Sequence, residues 1–153
     1  MADSVKTIAT NRRAFHDYAF DEKIECGVEL VGTEVKSLRA GHVSFADAYA
    51  RIRAGQLWLV GLNIPPYSHA SLFNHDATRE RRLLIHKSEL RRYKRRVDER
   101  GFTFIPTRLY FKGGLVKVEL GLGKGKREFD KRQSIKQRDQ GRDADREARD
   151  RFR

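Results

Sequence analysis

The chain has 153 residues, and its 33 Lys and Arg against 21 Asp and Glu leave a formal charge of +12 with histidines neutral. Hydrophobic residues make up 39% and charged residues 35%, enough for one modest core under a wet, basic exterior. Acidic small molecules do not by themselves account for such a charge, whereas a polyanion does, nucleic acid ahead of an anionic membrane; the single cysteine, Cys26, excludes an internal disulfide and multi-cysteine zinc modules.

In chain order, residues 1–20 hold no apolar stretch of signal-peptide length, and no later run approaches the roughly 18 apolar residues a membrane helix needs. A soluble, cytoplasmic protein with no membrane partner is expected, since no basic segment carries the wide apolar face of a membrane-surface helix. Over residues 20–31, Phe20, Ile24, Cys26, Val28 and Leu30 share one parity and Glu25 and Glu29 the other, which predicts a strand with one core face. Thr33 as N-cap, Val35 and Leu38 one turn apart and Gly41 as the stop predict a short helix over 34–40. Residues 48–53 and 57–64 flank Ala54, Gly55 and Gln56 as a hairpin, which Pro65 and Pro66 end. Leu83, Leu84 and Ile85 follow as a strand, and Leu90, Tyr93 and Val97 form a helical seam over 87–100 that Gly101 stops. Residues 102–111 and 115–122 pair across Gly113 and Gly114, with Val116, Val118, Leu120 and Leu122 alternating with Lys117 and Glu119. Five or six short strands with small helices at their joints predict a mainly β fold, an OB-like closed or partly closed antiparallel β-barrel.

Composition changes near Gly121. Residues 123–153 contain 12 Lys and Arg and 7 Asp and Glu, and only Phe129, Ile135 and Phe152 are large and apolar, too little burial to offset the entropy of ordering. The expected division is a barrel domain over 1–122 and a basic C-terminal tail over 123–153 that is disordered when free. Asp145 with Arg149 and Glu147 with Arg151 have the i,i+4 order that supports a helix on contact with a partner.

The glycines of 121–127 fit neither phosphate-loop nor dinucleotide spacing, so this segment reads as a flexible, basic strand exit. The five histidines include no pair at metal-helix spacing, and neither a metal nor a cofactor is expected. His75 and Asp76 read as a loop turn in which Asp76 bonds backbone amides, rather than as an active-site pair. From Arg79 to Arg100, ten of 22 residues are basic and four acidic. On the helix, Arg91 with Arg95 and Arg92 with Arg96 repel at i,i+4 unless phosphates neutralise them. Glu25 is either a solubilising spacer or an acceptor for base amino groups.

Several motifs together resemble one family. They are Asn11-Arg12-Arg13-Ala14 with Asp17-Tyr18; Gly32 to Gly41, reading GTEVKSLRAG; Asp47-Ala48-Tyr49; Arg79-Glu80-Arg81-Arg82-Leu83-Leu84; and Gly125-Lys126-Arg127 followed by Asp130-Lys131-Arg132. In this order they resemble small protein B, the SsrA-binding proteins of bacterial trans-translation, over residues 8–138. The resemblance implies an OB-like barrel over 1–122 that binds the tRNA-like domain of transfer-messenger RNA and brings it to stalled ribosomes, without catalysis. It also implies that elongation factor Tu shares the delivery complex. The tail would enter the vacant messenger channel beyond the small-subunit decoding centre and become helical there. Carried over by motif, Asn11, Arg12, Arg13, Glu25, Lys36, Arg39, Arg79, Arg81, Arg82 and Leu84 would touch RNA. Gly125, Lys126, Arg127, Phe129, Asp130, Lys131, Arg132 and Ile135 would act in the tail. The chain departs from the family at Ala77, where proline is common, and at Phe129, where histidine or tyrosine is common. The competing readings are a constitutive structural protein of the ribosome and a nuclease using His75, Asp76 and His86.

Overall fold

The computed structural model describes residues 4–67 and 74–125. In chain order these form β1 (Val5–Thr10), α1 (Arg12–Asp17), β2 (Tyr18–Val28), α2 (Gly32–Arg39), β3 (Tyr49–Arg53), β4 (Gln56–Val60), β5 (Arg81–Leu84), α3 (Lys87–Arg100), β6 (Thr103–Lys112) and β7 (Leu115–Gly125). All strand pairings are antiparallel. They run β6, β3, β4, β5, β2, β7 and back to β6, so six strands close a ring, and β1 continues the edge of β6 beside β3.

Alternation accounts for the ring. Ile24 and Cys26 of β2 are buried and Glu25 between them is exposed, while Val118, Leu120 and Leu122 of β7 are completely buried. From the other side Leu57, Leu59, Leu83, Phe104 and Leu109 fill the same core, which α2 and α3 cover with Leu38, Leu90 and Tyr93. Tyr93 meets Phe104 edge to face, ring centroids 6.4 Å apart, which fixes α3 against β6. The predicted helix over 87–100, both hairpins and the mainly β class are as the patterns require.

Three local expectations change. Thr33 lies inside α2 rather than capping it: the N-cap is Val31, and the Glu34 carboxylate reaches back to accept the Val31 N–H at 2.9 Å. Residues 121–125 are not a flexible exit, because β7 stays paired with β2 as far as Gly125 opposite Tyr18. Here the missing side chains matter. A Cβ on Gly121 would run into the edge of the Phe20 ring, 2.6 Å from its Cε1, and one on Gly123 would run into the Ala19 carbonyl oxygen and lie 2.9 Å from both the Ala19 carbonyl carbon and Phe20 Cα. Gly123→Ala is expected to cost about 1–3 kcal/mol, and more than Gly121→Ala, because a ring can swing aside where a neighbouring backbone cannot. Urea denaturation of the two variants checks the order. Finally, β1 and α1 are present where sequence alone announces no element.

Candidate nucleic-acid interface

Glu25 points outward from β2, opposite Glu119 of β7. Its carboxylate accepts the Tyr110 hydroxyl and, at 3.2 Å, the Lys112 ammonium. The Arg108 guanidinium lies 4.4 Å over the Tyr110 ring and 3.8 Å from the Glu119 carboxylate. The Tyr110 hydrogen bond, opposed by partial burial and helped by Lys112, holds the Glu25 carboxyl below its usual range, while burial and Glu25 push the Tyr110 phenol up. Glu25 is thus an ionised, oriented acceptor whose side chain remains 40% exposed. Leu84 of β5 pairs with Gly27, two residues along the same face, and its side chain stands open to solvent. Glu25 and Leu84 therefore share one surface, an acceptor beside an apolar contact with cations at its border.

The arginine motif behaves differently. Arg81 was expected at the RNA surface, but it is completely buried, its guanidinium donating to Glu34 at 2.6 Å and to the carbonyls of Leu62, Arg79 and Ala77. Arg79 closes on the same carboxylate at 2.6 and 3.0 Å. Burial alone would raise the Glu34 pKa, but Arg79, the Val31 amide and Arg81 outweigh it and hold it low. Arg81 is a core counter-ion, and its burial leaves no phosphate a route to it. Arg82 pairs with Glu29 at the surface.

The other expected contacts scatter. Asn11 accepts the Ala14 N–H at the start of α1 and donates to the Pro106 carbonyl, so its amide is spent on joining α1 to β6. Arg12 and Arg13 are exposed on α1, Arg13 pairing with Asp17. On α2, the Lys36 ammonium lies over the Tyr67 ring and Arg39 is exposed. The charge of α3 is met partly from within, by Asp21 and Glu22 at Arg96 and by Asp98 at Lys94, so phosphates are not needed for every repulsion along it. Gly125 ends β7; Lys126, Arg127, Phe129, Asp130, Lys131, Arg132 and Ile135 lie outside the described residues.

His75 is packed rather than poised. Its Nε2 donates to the Ile64 carbonyl at 2.7 Å, and its Nδ1 shares a hydrogen bond with the Thr33 hydroxyl at 2.9 Å. Asp76 bonds the Thr78 N–H, as the turn reading expects. Burial pushes the Cys26 thiol up to about 12, so it is an inert core residue. Among the described residues no three His, Cys, Asp or Glu gather as a metal site. No described helix is long and apolar enough to cross a membrane.

The family described as SmpB protein matches residues 8–150. The chain belongs to the SmpB family. It is 52% identical to the SsrA-binding protein of Treponema denticola, covering 94% of this chain and 93% of that one. It is 48% identical to the SsrA-binding protein of Desulfitobacterium hafniense, covering 97% and 96%. The solved structure "tmRNA-SmpB: a journey to the center of the bacterial ribosome" contains a chain 49% identical, with a TM-score of 0.66 over 76% of this chain and 82% of that one.

Two groups were not expected from the family's motifs. Tyr110 and Lys112 hold Glu25 while Arg108 lies over the Tyr110 ring, and their only sequence signal is that Tyr110 and Lys112 alternate with the buried Leu109 and the half-buried Phe111. Phe15, Tyr18 and Phe20 form an aromatic cluster with Lys23 over the Phe15 ring, beside the end of β7. A register shift in β2 between Phe20 and Glu22 breaks the simple alternation there.

Proposed function

We propose that this chain binds the tRNA-like domain of transfer-messenger RNA through the outward face of β2, β5 and β6 and delivers it to stalled ribosomes for trans-translation. The observation that carries the reading is Glu25, held ionised by Tyr110 and Lys112 beside the exposed Leu84. A fixed carboxylate takes the amino donors of unpaired bases, which no cation does, and Leu84 offers an apolar contact to a splayed base. Lys112, Arg108 and Lys117 on the same face suit the flanking phosphates. Kinship with SsrA-binding proteins supports the choice of RNA.

Residues 126–153 engage the vacant messenger channel beyond the decoding centre, with Asp130, Lys131 and Arg132 as their core motif and Phe129 as a stacking side chain. An occupied channel excludes them by volume, which makes vacancy the signal. Elongation factor Tu accompanies the complex, and the action is cytoplasmic. No step of this role makes or breaks a bond.

Titrating the full chain with the transcribed tRNA-like domain at several salt concentrations tests the reading. With about six phosphates contacted, log affinity should fall against log salt with a slope of roughly −4 to −5. Equal affinity for an unrelated hairpin of the same length contradicts specific capture. Stoichiometric sedimentation with all small subunits in cells lacking transfer-messenger RNA would favour the structural ribosomal role instead.

A further inference from the structure

A cleft of about 570 Å³ opens between β1, the C-terminal end of α2 and the β6–β7 turn. Ile8, Leu38 and Phe111 give it apolar walls, and Lys6 and Arg39 border it. Lys6 pairs directly with Phe111 across β1 and β6, which puts the ammonium and the ring on the same side of the sheet. Neither Lys6 nor Arg39 has an ion pair or a side-chain hydrogen bond among the described residues. That separates them from Arg79, Arg81, Arg82 and Arg96, each held by a carboxylate of the protein.

The volume lies in the range that takes a small organic molecule. An aromatic ring with two aliphatic walls suits a planar heterocycle, and two cations without a carboxylate partner among the described residues suit a phosphate. On β6, Phe111 alternates with Tyr110 and Lys112, the residues that hold Glu25, so the cleft and the proposed RNA face lie on opposite sides of the same strand and a bound RNA reaches both only around its edge. We infer that this cleft is a nucleotide subsite: it takes one unstacked nucleotide of the bound RNA, its base against Phe111 and its phosphate on Lys6 and Arg39. RNA loops present such splayed bases, and proteins commonly stack them on aromatic side chains. The inference rests on the RNA-binding reading above.

Two arms test it on the full-length protein with the transcribed tRNA-like domain as probe. In the first, a photo-crosslinking amino acid replaces Ala40, an exposed residue lining the cleft. Irradiation should link it to one or two adjacent loop nucleotides. In the second, Lys6→Ala with Arg39→Ala should weaken binding about tenfold and lower the magnitude of the salt slope by about 1. A crosslink that forms only with protein, or a double variant with unchanged affinity and slope, overturns the subsite. Titration of the unmodified chain separates the two failures. If only the subsite is wrong, that chain still binds with its full salt slope; if it does not bind, both readings fall.

Discussion

Glu34→Ala is expected to lower the melting temperature by roughly 10–20 °C, corresponding to about 3–5 kcal/mol. The carboxylate is completely buried between two guanidiniums, one of which, Arg81, is as inaccessible as itself. Removing it strands Arg81 as an uncompensated charge inside the ring and deprives the Val31 N–H of its acceptor at the start of α2. The loss therefore exceeds what a surface pair contributes. Glu34→Gln, which keeps the shape and an acceptor oxygen but not the charge, should fall between alanine and wild type. The pH dependence has a definite sign. Because the folded Glu34 pKa is depressed, its contribution is present above the pH at which an unfolded glutamate titrates and is lost as pH falls through the lower folded value. Thermal melts between neutral and acidic pH should therefore converge for wild type and Glu34→Gln at the acid end.

Glu25→Lys should weaken binding of the tRNA-like domain by roughly 5- to 150-fold, about 1–3 kcal/mol, despite adding two units of positive charge. A spacer would tolerate the change or gain affinity from it. An acceptor held by Tyr110 and Lys112 loses its base contact and sets a third cation against Lys112 and Lys117. Tyr110→Phe separates charge from orientation: it keeps the carboxylate but releases one oxygen, so the expected loss is smaller. Filter binding at fixed salt checks both variants. Tighter binding by Glu25→Lys would return this residue to the role of solubilising spacer.

Sequence and structure agree where one physical rule acts alone. Val116 to Leu122 alternates so strictly that the strand and its buried face follow from the pleat. The seam of Leu90, Tyr93 and Val97 marks α3 in the same way. β1 escapes notice because it is an edge on which only Ile8 and Ala9 are half-buried, too few to set a period. The end of β7 escapes because glycines at 121, 123 and 125 read as a loop until β2 is laid against them.

The site is legible only where its contacts are outward. Glu25 and Leu84 stand on one exposed surface as their motifs suggest, but the groups that orient Glu25 come from 85 and 87 residues away. Arg81 misleads for the same reason. A run of arginines normally means a solvated face, and the carboxylate that draws this one into the core lies 47 residues earlier. Pairing of distant charges is a property of the closed ring, and no local spacing encodes it.

The proposed function divides the labour: the ring of strands would capture RNA, and the segment after Gly125 would serve the ribosome. The most direct test is the dissociation constant of a chain ending at Gly125 for the tRNA-like domain, at a salt concentration where non-specific attraction is screened. The account predicts a value within about threefold of the full-length chain, under 1 kcal/mol, alongside tagging of stalled products reduced to background. A loss of about a hundredfold or more in RNA affinity would contradict it.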